Sequence, residues 1–184
     1  MRKHGPWGIL SSDTMYQDPW IKVVRDQVVR PDGSHGTYAT VQLKSGVCVV
    51  GLDDSNHVHL TREFHYAVGR VTIEGVSGGI EDGESSRLAA ERELAEEIGL
   101  KADSWTELGK IDPFTAAIDS TVTMYVAEQL TAVPTNPEAT ELIEHVVLPL
   151  DVAVRMVRNG EITHSPTCII LLELALRQLE TKDI

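Results

Sequence analysis

Apolar and polar residues roughly alternate over Ile21–Val29 and again over residues 37–43, on either side of Pro31-Asp32-Gly33-Ser34. A two-residue period turns one side of each segment to a core and the other to water, and the Pro-Asp-Gly-Ser run suits a turn, so this region predicts a β-hairpin. Residues 47–52 and 58–64 flank Asp53-Asp54-Ser55-Asn56 and are rich in β-branched side chains, which predicts a second hairpin. Between residues 84 and 98 the period changes. Ala90, Leu94 and Ile98 recur every four residues in a stretch rich in Ala, Leu, Glu and Arg, predicting an amphipathic helix that Gly99 stops. Further strands are predicted around residues 105–111, 121–126 and 143–148. Helices follow at 150–157, ended near Asn159-Gly160, and at 167–179. Strands interleaved with helices in this order suggest an α/β sandwich around a mixed sheet.

The 184 residues include 28 acidic against 16 basic, a formal net charge of −12. Such a surface repels phosphate backbones and argues against a nucleic-acid partner, whereas small anionic substrates remain compatible where bound cations reverse the local field. Cys48 and Cys168 each sit in an apolar run and read as buried thiols of a reducing compartment. The N-terminal Met-Arg-Lys-His-Gly-Pro-Trp has no apolar signal core, and no run of residues is long and apolar enough to span a bilayer. The expectation is a cytoplasmic protein without membrane contact.

The segment from Gly78 to Leu100 carries the candidate chemistry. On a helix Glu93, Glu96 and Glu97 stand at i, i+3 and i+4, so three carboxylates share one face while the apolar stripe turns to the core. Like charges so close destabilise a bare helix, and Arg87 and Arg92 alone look insufficient to offset them, which points to hard divalent cations. Gly78, Gly79 and Gly83 before the helix allow sharp turns and close approach to a ligand. Taken alone, a Glu-rich helix is more often just a solvated acidic face.

Here it is not alone, because the segment resembles the Nudix box, G-x5-E-x7-R-E-U-x-E-E-x-G-U with U aliphatic. Gly78, Glu84, Arg92, Glu93, Leu94, Glu96, Glu97, Gly99 and Leu100 meet every position. Chance agreement is on the order of 10⁻⁹ per starting position. The resemblance implies the Nudix fold, an α/β/α sandwich around a mixed β-sheet with a small N-terminal β-subdomain. It also implies hydrolysis of a nucleoside diphosphate linked to another moiety. By position, Glu93 and Glu97 would be the principal metal ligands and Glu96 a further one, with the backbone carbonyl of Ser77 completing the shell. Arg92 and Glu84 would orient the carboxylates. Two or three Mg²⁺ ions, or Mn²⁺ in their place, are implied.

Beyond the box the chain is similar to the ADP-ribose and nucleoside diphosphate sugar pyrophosphatases. Four stretches carry that likeness: Tyr16-Gln17-Asp18-Pro19-Trp20, Arg30-Pro31-Asp32-Gly33, Thr61 through Arg70, and Pro149-Leu150-Asp151 through Gly160-Glu161-Ile162. It implies an N-terminal β-hairpin subdomain over residues 1–44, serving dimerisation and substrate contacts, and a hydrolase domain over 45–184. It also implies a homodimer that exchanges these subdomains. Nucleoside diphosphate sugars, ADP-ribose among them, are the implied substrates, cleaved to a nucleoside monophosphate and a sugar phosphate. Arg62, Arg70, Trp20, Phe64 and Gly79 are candidate substrate contacts. Glu141, then Glu138, are candidates for the general base that the family often draws from a late loop. Two positions depart from the subgroup, His65 where an arginine is common and Thr115 where a proline is, which leaves sugars other than ADP-ribose in play. A non-catalytic nucleotide-sugar sensor on the same scaffold, or hydrolysis of dinucleoside polyphosphates or other nucleotides, remain alternatives at this point.

Overall fold

The computed structural model describes Met1–Asn136 and Leu142–Glu180. Its strands are β1 (Arg2–His4), β2 (Trp7–Gln17), β3 (Ile21–Val29), β4 (His35–Leu43), β5 (Gly46–Leu52), β6 (His57–His65), β7 (Arg70–Glu74) and β8 (Val76–Gly79). Helix α1 (Ser86–Ile98) follows, then β9 (Leu100–Ile111), β10 (Ile118–Asp119), β11 (Val122–Ala132) and β12 (Glu144–Pro149), then α2 (Leu150–Arg158) and α3 (Ser165–Glu180). The chain forms two compact units, Met1–Ser45 with Asp112–Thr121, and Gly46–Ile111 with Val122–Ile184.

The first unit is a five-stranded sheet in the order β1-β2-β3-β4-β10. The hairpin predicted around Pro31-Asp32-Gly33-Ser34 is there, with β3 and β4 in unbroken register from Ile21↔Leu43 to Val29↔His35. Gly33 takes φ +84° in its turn, a left-handed conformation that suits glycine. Strand β2 lacks any periodic signal in sequence because it is exposed from Leu10 to Gln17 and shifts register twice against β3. Segment 112–121 joins this sheet through β10, parallel to β4 with Ile118 opposite Val41.

The second unit carries a seven-stranded mixed sheet in the order β12-β6-β5-β11-β9, with β7 added on β6 and β8 on β5. Alternation along β5 sends its side chains into two separate cores. Val47 and Val49 pack with Ala89, Ala90, Leu94 and Ile98 of α1. Cys48 and Val50 pack with Leu150 and Ala153 of α2 and with Ile170, Leu171 and Leu174 of α3. This is an α/β/α sandwich. The stripe Ala90, Leu94 and Ile98 is buried as its spacing predicts, and burying a leucine side chain alone contributes about 2 kcal/mol.

Helix α1 starts two residues after Glu84. Ser85 is its N-cap, accepting from the Leu88 amide, and Gly99 at φ +64° closes it with its N–H on Ala95 O. Helices α2 and α3 each run one or two residues beyond the spans that periodicity predicts. Cys48 is fully buried and Cys168 partly so, and both are free thiols. Desolvation pushes the Cys48 thiol up to about 11, so it stays protonated and unreactive at neutral pH. No helix among the described residues is long and apolar enough to cross a membrane.

Candidate active site

Strand β8, the loop after it and α1 build the site. Pairing of β8 with β5 sets Ser77 opposite Cys48 and Gly78 opposite Val47, which fixes the backbone against which α1 lies. A Cβ built on Gly78 would overlap the Glu93 carboxylate, so only glycine allows this carboxylate to lie against the strand. Gly83 turns the loop at φ +83°, and its ends are tied by the Glu84 amide donating to Glu81 O and the Glu81 amide to Glu84 Oε2.

Arg92 organises the acidic face. Its Nε and Nη2 donate to the two oxygens of Glu84 at 3.1 and 3.0 Å, a bidentate pair with the Glu84 side chain only 15% exposed. Nη2 also donates to Gly79 O at 3.0 Å, while Nη1 reaches Glu93 Oε1 at 2.7 Å and Glu96 Oε2 at 3.3 Å. One guanidinium thus fastens the glycine loop to the helix and neutralises part of its acidic turn. The hydrogen bonds from Arg92 hold the Glu84 carboxyl below the usual range, and those that Glu84 and Glu93 accept hold the guanidinium firmly protonated.

Glu93, Glu96 and Glu97 lie on this one helix, at the spacing that puts them on a common face. Among the described residues no three acidic, His or Cys side chains converge tightly enough to enclose an ion. The donor chemistry nevertheless fits a hard divalent cation: carboxylate oxygens side by side, a Gly78 cradle for one of them, and a cationic Arg92 nitrogen already held between Glu93 and Glu96. Residues 133–136 run against the C-terminal turn of α1, with the Val133 amide on Gly99 O and the Asn136 amide on Glu96 O. Glu138 and Glu141 fall outside the described residues. The sequence offered no sign of this tie, which is made by backbone amides and needs no particular side chain.

The candidate substrate contacts are more dispersed. Arg62 forms an exposed ion pair with Glu144 at 3.6 Å, and Arg70 donates to Thr163 Oγ1 at 2.8 Å. Phe64 on β6 is exposed, and Trp20, at the turn between β2 and β3, is 74% exposed with its amide on Asp18 Oδ1. His65 pairs with Glu74 at 3.4 Å, and Glu74 also meets His164 at 3.4 Å, which ties the β6–β7 hairpin to the start of α3. Thr115 lies in the segment that joins the N-terminal sheet.

A sandwich of this topology with a carboxylate-bearing helix behind a glycine loop defines a class of phosphoanhydride hydrolases, and comparison with known proteins bears this out. A model of the NUDIX domain matches residues 42–166, and one of the nucleoside diphosphate sugar hydrolase N-terminal domain matches residues 7–41. The chain belongs to the Nudix hydrolases, among the ADP-ribose and nucleoside diphosphate sugar pyrophosphatases. It is 32% identical over 160 residues to an ADP-ribose pyrophosphatase of Mycobacterium tuberculosis, covering 85% of this chain and 77% of that one. An ADP-ribose pyrophosphatase of Bacillus subtilis is 23% identical over 171 residues, 92% of either chain. A solved structure described as an ADP compounds hydrolase superposes with a TM-score of 0.81 at 21% identity, over 97% of this chain and 98% of that one, and shows the same fold.

Proposed function

We propose that the protein hydrolyses the pyrophosphate of a nucleoside diphosphate sugar, ADP-ribose or another, with Mg²⁺ as its metal, giving a nucleoside monophosphate and a sugar phosphate. The observation that carries this reading is the acidic turn of α1 held against a glycine loop by Arg92. Glu93, Glu96, Glu97 and the Ser77 carbonyl would hold the metal. Bound there, Mg²⁺ supplies positive charge to the diphosphate oxygens and acidifies water.

The chain's own groups do the rest. Glu84 and Arg92 keep the carboxylates aligned. Glu141, or else Glu138, takes the proton from the attacking water, and the Asn136 tie to Glu96 brings the chain to the end of α1 just before them. Arg62 contributes donors for phosphate, since an exposed ion pair at 3.6 Å is weak and readily exchanged. Arg70 is a second donor, Gly79 lets substrate approach the loop, and Trp20 and Phe64 offer exposed rings for stacking on a base. The relatives named for ADP-ribose support this substrate class, and His65 in place of an arginine keeps other nucleoside diphosphate sugars in play. The subgroup likeness supports a homodimer with exchanged N-terminal subdomains, and the two free thiols support a cytoplasmic setting.

The test is product analysis by mass on a panel of nucleotide sugars, with and without Mg²⁺. The expected result is metal-dependent release of a monophosphate and a sugar phosphate from at least one member. Tight binding with no turnover on the whole panel, or turnover confined to dinucleoside polyphosphates, would reject the reading.

A further inference from the structure

A second set of metal-ligand chemistry lies on the sheet, on residues outside the Nudix box. His57 and His59 stand two apart on β6 and therefore share a face. Strand β12 pairs with β6 so that His145 is opposite Thr61 and Val147 opposite His59, which places His145 on that face, diagonal to His59. His59 is also opposite Gly51, which continues the side of β5 that faces α1. Gly51 leaves the histidine room, since a Cβ there would come within 3.2 Å of His59 Cβ.

The two rings meet nitrogen to nitrogen, with His59 Nδ1 2.9 Å from His145 Nε2. The other nitrogen of His59, Nε2, is buried and has no hydrogen-bond partner among the described residues, and Asp53 Oδ2 stands 3.6 Å from it. Asp53 is held in place because its Oδ1 accepts the amides of Ser55 and His57 in the turn before β6. With its proton on Nε2, on the side of Asp53, His59 accepts at Nδ1 from His145 Nε2–H, the proton that a metal ion would displace. A carboxylate behind an imidazole is the arrangement that orients metal-bound histidines, and at 3.6 Å Asp53 acts on the ring through its charge. Burial lowers the proton affinity of both rings, so each is neutral with one lone pair, and a shift of the His145 proton to its other nitrogen turns both lone pairs to the point between the rings.

We propose that His59 and His145 hold a second metal ion, of the zinc class that imidazole prefers, with Asp53 orienting His59 and solvent completing the shell. With metal–nitrogen distances of about 2.0–2.1 Å, the two nitrogens need to separate by only about 0.5 Å. No third side chain converges on the point among the described residues, so the site is an open one. Its structural effect is to fasten β12, the strand at the end of the sheet order, to β6. Imidazole ligands discriminate strongly against Mg²⁺, so the site is chemically separate from the carboxylates of α1.

The experiment uses Glu97→Gln protein, in which the α1 site is impaired, beside the wild type. Zn²⁺ is expected to raise the thermal midpoint of both, an effect that excess Mg²⁺ does not reproduce. Cu²⁺ as a spectroscopic probe is expected to show magnetic coupling to two imidazole nitrogens. His145→Gln, at an exposed position, should fold normally and lose both the Zn²⁺ shift and the two-nitrogen signature, with His59→Gln as the second variant. An unchanged Zn²⁺ response and Cu²⁺ spectrum in folded His145→Gln protein, or no Zn²⁺ response in the wild type, would overturn the proposal.

Discussion

Replacing Glu97 by Gln is expected to lower kcat on the order of 10³-fold, about 4 kcal/mol of transition-state stabilisation, while the melting midpoint stays within a few degrees of wild type. The substitution keeps the shape of the side chain and removes one negative charge from the three that share the acidic face of α1. Since like charges on adjacent positions of a helix repel, stability is expected to hold or rise slightly, so stability and activity move apart. Steady-state kinetics at saturating Mg²⁺ beside a thermal melt check this. An equal loss of both would mean that Glu97 holds the fold together and contributes nothing specific to catalysis.

Gly78→Ala is the second large effect, and it acts without touching a charge. The new methyl would occupy the volume of the Glu93 carboxylate, which is the mobile end of a side chain and can swing away. The cost in folding is therefore small, while the carboxylate is moved from its place beside the glycine loop. We expect kcat/KM to fall on the order of 10²-fold, with a higher Mg²⁺ concentration needed for half-maximal rate. A melting midpoint lowered by more than about 10 °C would show that the strand, and not the carboxylate, had given way.

The contrast between these two sites and the rest of the chain explains what could be read from residues alone. The hairpin at Pro31-Asp32-Gly33-Ser34, the α1 stripe and the Gly99 stop are local: side-chain period and turn chemistry determine them within a few residues, and the structure has all three. The box is legible for the same reason, being one loop and one helix. Strands β2, β7 and β8 were not legible. β2 is largely exposed and broken by register shifts, and β8 is only Val76 and Ser77 followed by the glycines that read as a loop. β7 follows β6 closely and pairs with it in unbroken register, but its five residues are too few to show a period, and β8 pairs with β5, a strand distant in sequence.

The same distinction governs single residues. The box resemblance implies that Arg92 orients the carboxylates, but its fourfold engagement with Glu84, Glu93, Glu96 and the Gly79 carbonyl depends on the path of the loop. The Asn136 amide on Glu96 O joins segments forty residues apart, and a backbone donor leaves no trace in the sequence. His59 and His145 are 86 residues apart, and only the pairing of β6 with β12 brings them together. The one signal available for that pair was the His57-x-His59 spacing, which has meaning only once residues 57–65 are known to be a strand.

The central claim is that the acidic turn of α1 exists to grip a divalent cation against a diphosphate. Mn²⁺ binding followed by electron paramagnetic resonance, in wild-type protein and in a Glu93→Gln/Glu97→Gln variant, tests it most directly, with a nonhydrolysable nucleotide-sugar analogue present. Wild-type protein is predicted to sequester Mn²⁺ and to hold it more tightly with the analogue, and the variant to leave it free. Equal Mn²⁺ binding by a folded variant would contradict the account.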